Sequence, residues 1–485
     1  MEESKVEYVP EDDAQLARMG HKPELHRNFS TLSMLGLAFA VLNSWTALSA
    51  SLSISLTSGG STSVIWGEFL NVKLLCISYT SLAEFLSAFP TAGGQYHWVA
   101  GKTVSWPQWV PILSWITGWV NVAGWVALVA TNSLLSSQLI AGIVSAVYPD
   151  FEWQRWQQFL IYVGITLGAF VINAFMNSVL PLIYRGAFTW SIGGFVLVSI
   201  TVLACASPDY NSAYFVFCDF VNQTGGLGVT AFDAVVHMIE EIPNPSIKGP
   251  KVMLTCVGIG TFTGSVFLIV LLFVAGDITD VVSSKAGPLL QILLHATQNT
   301  AGAICLLMLP LVCLVFATLS VMTTSSRMIF AFARDGGLPA SRFFAHVHQR
   351  LGLPLNALAL TTLVVIIFGL IFLGSSSAFN AIVSSSVVAL DLSYAMPIAV
   401  NCIRGRKTLP DRKFQIPNAI GWVIDIISLS YIALTTVLFL FPPSRPVTGS
   451  SMNYCIVAFG IIVLVSVVQW IVDGRRNFTG PRVET

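Results

Sequence analysis

Long apolar runs, each near the length of a bilayer crossing, alternate with short polar gaps along this chain. A bilayer core calls for about 20 apolar residues per helix. Segments 31–57, 63–88, 109–133, 157–178, 185–206, 252–275, 300–325, 355–374, 379–403, 418–441 and 452–472 meet that length, eleven in all. The Lys and Arg residues sit in every second gap. With the N-terminal tail counted as inside, the inside gaps hold Lys5, Arg18, Lys22, Arg27, Lys102, Arg185, Lys248 and Lys251. They go on with Arg327, Arg334, Arg342, Arg350, Arg404, Arg406, Lys407, Arg412, Lys413, Arg475, Arg476 and Arg482, twenty of the 24. Arg155, Lys285 and Arg445 lie in outside gaps, and Lys73 lies within a segment. This bias puts both termini in the cytoplasm; the plasma membrane is the expected location. The bias also requires an even number of crossings, so a twelfth is hidden.

The hidden crossing is expected between Ala206 and Lys248, because the gap after 185–206 is acidic (Asp209, Asp219) and the next charged patch is basic. Only residues 225–239, GGLGVTAFDAVVHMI, can supply it. A segment too short for a full helix and yet required to cross points to a discontinuous span, which in transporters marks the substrate site. The first span has the same character. Residues 31–42 are apolar, Asn43-Ser44-Trp45-Thr46 interrupts them, and Ser49, Ser51, Ser53, Ser55 and Gly59-Gly60 follow. Small polar residues that merely pack helices explain span one taken alone; a partner in span six favours a site. Broken spans one and six run in opposite directions. The pattern therefore predicts an all-α integral membrane protein of about twelve helices, an inverted five-plus-five repeat followed by two C-terminal helices. The expected division is a cytoplasmic tail (1–28), one transmembrane domain (29–473) and a C-terminal tail (474–485). Within the domain, repeat one covers about 31–206, repeat two about 225–403 and the extra helices about 418–472, at bilayer-crossing helix lengths.

Composition agrees: 54% of residues are hydrophobic and 10% charged, with mean hydropathy +0.75, too apolar for an ordinary soluble domain. The eight Cys stand singly with no metal-ligand spacing, so neither a metal nor a redox centre is expected. The first apolar run is too long and too late for a cleaved signal peptide. No nucleophile–base spacing or phosphate loop occurs, and the gaps are too short for a catalytic domain; an enzyme, a cofactor and a nucleic-acid partner are not expected.

Residues 81–98, SLAEFLSAFPTAGGQYHW, resemble the second-span signature of the amino acid–polyamine–organocation permeases, as does 326–339, SRMIFAFARDGGLP, at the end of span eight. Residues 232–245, FDAVVHMIEEIPNP, resemble the sixth-span signature of the fungal branch carrying choline, 4-aminobutyrate and amino acids. The similarity runs from about Asn28 to Arg482. It implies the fold just described and, in many members, uptake coupled to protons. One departure stands out. Members carry a full outer half-helix between the sequon-bearing loop, here Asn222-Gln-Thr224, and the glycines before Phe232; this chain has room for hardly more than one to two turns, roughly half of it at 1.5 Å per residue.

Ionisable groups within spans are costly and so are candidates for function. Asp233, in the break of span six beside Phe232, can receive an ammonium group or a proton, or can cap the inner half-helix. Asp391 is a second candidate proton carrier. At the break of span one, Asn43 and Ser44 expose backbone N–H groups to a carboxylate, Thr46 adds a hydroxyl, and Trp45 offers a cation–π face worth about 0.5–2 kcal/mol or simply packs. Glu84 lies near the cytoplasmic end, solvated or paired with a loop Arg, and is a coupling or gating candidate. Glu68 lies near the outer end and is expected to snorkel; at five residues, about 140° of helix, it cannot pair with Lys73. Asp425 is expected to face neighbouring helices, and Trp115, Trp119 and Trp125 to pack. Arg327 and Arg334 with Asp335 suggest an inner gate whose ion pairs, with Glu240 and Glu241 as partners, break on opening. The expected function is a secondary permease, proton-coupled, for a small amine-bearing solute. The alternative is a non-transporting nutrient sensor or inactive permease, in view of the shortened span six.

Overall fold

The computed structural model describes residues 10–19, 21, 24, 27–50, 52, 56, 60–101, 106, 108–219, 237–407, 409–441 and 452–481. Among the described residues eleven helices are long and apolar enough to cross a membrane. In the twelve-crossing numbering they are span one (Thr31–Ser49), two (Gly60–Ala88), three (Val110–Val147), four (Arg155–Phe175), five (Asn177–Ala206), seven (Pro245–Val274), eight (Thr300–Arg334), nine (Leu355–Gly374), ten (Ser376–Ile403), eleven (Asn418–Leu438) and twelve (Cys455–Asn477).

Each described span of the first repeat, from two to four, lies against its counterpart five crossings on: two on seven, three on eight, four on nine. The cross pairs match too, because three packs on nine and four on eight. That is the contact pattern of two similar halves related by a pseudo-two-fold axis. Span one is the most buried, with 72% of its apolar window inside, and spans three, seven, eight and ten follow with 61% each; span twelve is peripheral, with 11%. Ile461, Leu464 and Val468 of span twelve are exposed accordingly, as suits a helix whose solvent is hydrocarbon.

Residues 225–239, predicted to hold the sixth crossing, lie outside the described residues except for His237–Ile239. Their flanks are informative. The short helix Ala213–Cys218 and Asp219 sit at the Gly60 end of span two, where Thr62 N–H donates to Asp219 O (3.1 Å) and Trp66 Nε1 to Phe217 O (3.0 Å). Residues 239–246 sit at its Ala88 end, where Ser87 Oγ donates to Ser246 O (2.8 Å). Span two has 29 residues, about 43 Å at 1.5 Å per residue. Asp219 and the residues from Ile239 onward therefore lie at opposite ends of span two. Both tails lie at the Ala88 end: Phe29 N–H donates to Glu241 O (3.1 Å), and the Asn477 carbonyl approaches Gly336.

Two apolar clusters divide the interior. One holds Leu42, Trp98, Trp115 and Phe332, the other Trp45, Phe195, Phe267 and the short helix Pro288–Thr297. The interruption of span one falls at the seam between them.

Candidate functional site

Span one begins under a reciprocal cap, Ser30 accepting from Ser33 N–H and Ser33 Oγ from Ser30 N–H. It stops at Leu42 because Asn43 takes a left-handed conformation (φ 42°, ψ 36°), which Asn tolerates better than most residues. A second helix, Ser44–Ala50, resumes at once. Three of the four residues that span one was predicted to bring to the site are engaged by the protein itself. Ser44 Oγ hydrogen-bonds Thr263 Oγ1 on span seven (3.3 Å). Trp45 is fully buried, donates its indole N–H to Ser191 Oγ on span five (2.9 Å) and meets Phe267 edge-on at 4.9 Å. That arrangement supports a packing role for Trp45 rather than an ammonium-binding one. Thr46 Oγ1 turns back on the Asn43 carbonyl (3.0 Å) and side-chain oxygen. Asn43 differs: it is 3% exposed, and no described residue accepts a hydrogen bond from its Nδ2.

Phe232 and Asp233 lie outside the described residues. Just beyond them, the His237 ring shares a hydrogen bond with Ala92 O (3.0 Å) and stands edge-on to Trp125 of span three at 5.5 Å. Trp125 is thus tied to His237, whereas Trp115 donates to Ser466 O and meets Trp470 edge-on at 5.2 Å, binding span three to span twelve.

At the Ala88 end the predicted cluster is assembled. Arg327 Nε meets Glu241 Oε1 at 2.8 Å and its NH2 meets Asn177 Oδ1 at 3.2 Å; Arg334 grips Glu240 with two nitrogens (2.9 and 3.2 Å). Glu240 also accepts from Ala92 N–H, and Asp335 from Tyr96 Oη (2.8 Å). Burial alone would raise the Glu240 carboxyl, but Arg334 and the hydrogen bonds overcome it and hold the carboxyl at about 2. It therefore stays ionised at pH 5–7, which supports a gate over a proton-carrying role for Glu240. The N-terminal tail covers this cluster: Asp12 accepts from Asn244 N–H (2.7 Å) and His21 Nε2 lies 3.8 Å from Asp335.

Glu84 is fully buried. Its carboxylate takes Arg406 NH2 (2.6 Å), Arg412 Nε and NH2 (2.9 and 2.6 Å) and Ile416 N–H (3.1 Å). The loop-Arg alternative is what the geometry gives, with no solvation. Arg406 also bridges to Asp425 of span eleven, which accepts from Ser81 Oγ (2.6 Å). Asp391, 6% exposed, accepts from Thr435 Oγ1 (3.2 Å).

Glu68 lies near the outer end of span two, as expected, but beside a cavity. It adjoins the Ser44 half of span one and lines the cavity with Ser44, Leu48, Asn71, Gly260 and Thr261. The spacing of Gly260 and Gly264, one turn apart on span seven, was the available signal. A Cβ on Gly260 would stand 2.1 Å from Leu42 Cδ2 and 3.3 Å from Ser44 Oγ, so glycine there lets the two spans touch.

The amino acid permease family profile matches residues 29–465. The chain is 32% identical over 473 residues to the choline transporter of Saccharomyces cerevisiae, covering 94% of this chain and 83% of that protein. It is 30% identical over 513 residues to the amino-acid permease BAT1 of Arabidopsis thaliana (99% and 98%). An uncharacterized amino-acid permease of Schizosaccharomyces pombe is 30% identical over 505 residues (99% and 91%). With its eleven described apolar spans, the chain is a multi-pass membrane protein and belongs to the amino acid permease family.

Proposed function

We propose that this protein is a secondary permease that imports a small amine-bearing solute, such as choline, 4-aminobutyrate or an amino acid, by alternating access and with protons. The observation that carries the reading is the buried break at Asn43. A half-helix that ends inside the bundle presents its last carbonyls, the partially negative end of its dipole, to whatever occupies the break. That end suits an ammonium group, and the Asn43 amide N–H suits an oxygen on the same solute, a hydroxyl or a carboxylate. Asp233 and Phe232 complete the proposed site from span six. The printed activities of the relatives, choline and amino-acid permeation, agree with such a solute. Protons are the proposed coupling ion, the inside is the cytoplasm, and the plasma membrane is the proposed location. Arg327–Glu241 and Arg334–Glu240 form the inner gate.

The test is competition binding of labelled choline, 4-aminobutyrate and a neutral amino acid to the purified protein. Asn43→Ala is expected to weaken the bound solute about tenfold, the loss of one hydrogen bond of about 1–1.5 kcal/mol. Unchanged affinity in Asn43→Ala would move the site away from the break. A second reading, a receptor that binds without transporting, is favoured by one observation. The 513 positions aligned with BAT1 exceed the chain's 485 residues, so this chain carries gaps against that relative. Binding without uptake would select it.

A further inference from the structure

The buried carboxylates within or between the spans have partners, whereas Glu68 is half-buried. Glu84, Glu240, Glu241 and Asp425 each hold a guanidinium, and Asp391 accepts from Thr435. Glu68 differs, for among the described residues none donates to its carboxylate or pairs with it. Lys73, on the same helix, points outward and is exposed. The Glu68 carboxylate instead faces a cavity of about 20 Å³. Its Oε1 lies 3.9 Å from where a Cβ on Gly264 would stand, so span seven makes room for it. The polar atoms around the cavity are neutral. Asn71 Oδ1 accepts from Tyr431 Oη of span eleven, Ser44 Oγ bonds Thr263, and Thr261 Oγ1 donates to Val257 O. Spans one and seven bring no charge here. From span eleven Tyr431 reaches the lining residue Asn71 through its hydroxyl, and Asp391 of span ten is held by Thr435. A carboxylate that stands among neutral oxygens, with no partner among the described residues, suits a small cation.

We infer that the Glu68 cavity is a cation site distinct from the Asn43 break, and that its occupant is the coupling proton, carried on the Glu68 carboxylate. This inference rests on the permease reading. The volume admits one water and excludes an alkylammonium group of several heavy atoms. Loading transfers a proton from a hydronium ion to a Glu68 oxygen, forming one O–H bond and leaving water; release to water on the other side reverses it. Because Ser44 and Leu48 form one wall, movement of the Ser44–Ala50 half of span one opens or closes the cavity. A proton bound there favours one arrangement of that half-helix, which links it to the solute at Asn43.

The experiment is an infrared pH titration of the purified protein in lipid nanodiscs. Wild type is expected to show a protonated-carboxyl band that grows as pH falls and is absent from Glu68→Gln; Glu68→Asp, which keeps the group should Gln misfold, is expected to retain it at a shifted frequency. A band of the same size in folded Glu68→Gln overturns the inference. So does a band in none of the proteins together with sodium-dependent stabilisation of wild type alone, which assigns the cavity to sodium. In proteoliposomes, Glu68→Gln is expected to keep solute exchange and lose at least tenfold of its accumulation under an inward proton gradient. Accumulation equal to wild type overturns the coupling. Wild type that takes up no solute overturns the permease reading, while the band still reports whether Glu68 holds the proton.

Discussion

Replacing Glu84 by Gln should destabilise the protein by about 3 kcal/mol, the lower end of the 3–5 kcal/mol typical when one partner of a buried ion pair is removed. The geometry sets where in that range the loss falls. Glu84 receives three guanidinium hydrogen bonds and one backbone N–H at 2.6–3.1 Å, and its side chain is 1% exposed. A Gln side chain has the same size but must turn an amide NH2 toward two cations. Arg406 keeps Asp425, and Arg412 keeps the Leu409 and Pro410 carbonyls with a side chain 9% exposed, so neither cation is stranded completely. A loss of 3 kcal/mol lowers the folded-to-unfolded ratio by about two orders of magnitude. Denaturant titration in mixed micelles, followed by tryptophan fluorescence, measures it. The double variant Glu84→Gln with Arg412→Gln should lose less than the sum of its parts by about 1.5 kcal/mol, because each single change leaves the other partner buried. Glu84→Gln within about 0.5 kcal/mol of wild type, or strict additivity, would refute this account of the cluster.

Three further outcomes are expected. Burial holds the His97 imidazole down to about 4, against about 6.5 in the unfolded chain, so the unfolded state binds the extra proton in between. The His97 contribution is intact above pH 6.5, declines as pH falls toward 4 and is then lost, about 3 kcal/mol in all; Gln at position 97 should flatten that slope in stability curves measured from pH 7 to 4. Gly36→Ala puts a Cβ 2.1 Å from the Tyr184 carbonyl oxygen, forcing spans one and five apart at a cost of about 1–3 kcal/mol, whereas Gly164→Ala, with open space around it, should be neutral or slightly stabilising in the same assay. Arg334→Ala leaves Glu240 without its guanidinium and should speed modification of a cysteine placed at Thr91, in a cysteine-free background, by an order of magnitude or so, as for about 1.4 kcal/mol; an unchanged rate would remove Arg334 from the gate.

The sequence made the crossings legible because hydropathy tracks lipid exposure, and the left-handed break after Leu42 fell where the polar tetrad interrupts span one. Span ends were less legible, for physical reasons. The apolar run ends near Ser325, but span eight continues to Arg334 because Arg327 and Arg334 are neutralised by Glu241 and Glu240 rather than by water. Span three runs to Val147, well past the predicted 133, since Ser136 and Ser137 satisfy their hydroxyls on backbone carbonyls within the helix. Which helix lies opposite a given face cannot be read from one chain. That is why Glu68, near the start of its helix, looked like a snorkelling residue, and why Trp45 looked available when Ser191, 146 residues on, takes its N–H. Glu84 was readable in part, since loop arginines were in view while their closure over it was not.

The most direct test of the central claim is uptake by the purified protein in proteoliposomes. Labelled choline, 4-aminobutyrate and a neutral amino acid are each presented with and without an inward proton gradient, beside Asn43→Ala. The account predicts saturable accumulation of at least one solute, raised by the gradient and reduced severalfold in Asn43→Ala. Binding of a solute with no accumulation, or accumulation indifferent to both the gradient and Asn43, would contradict it.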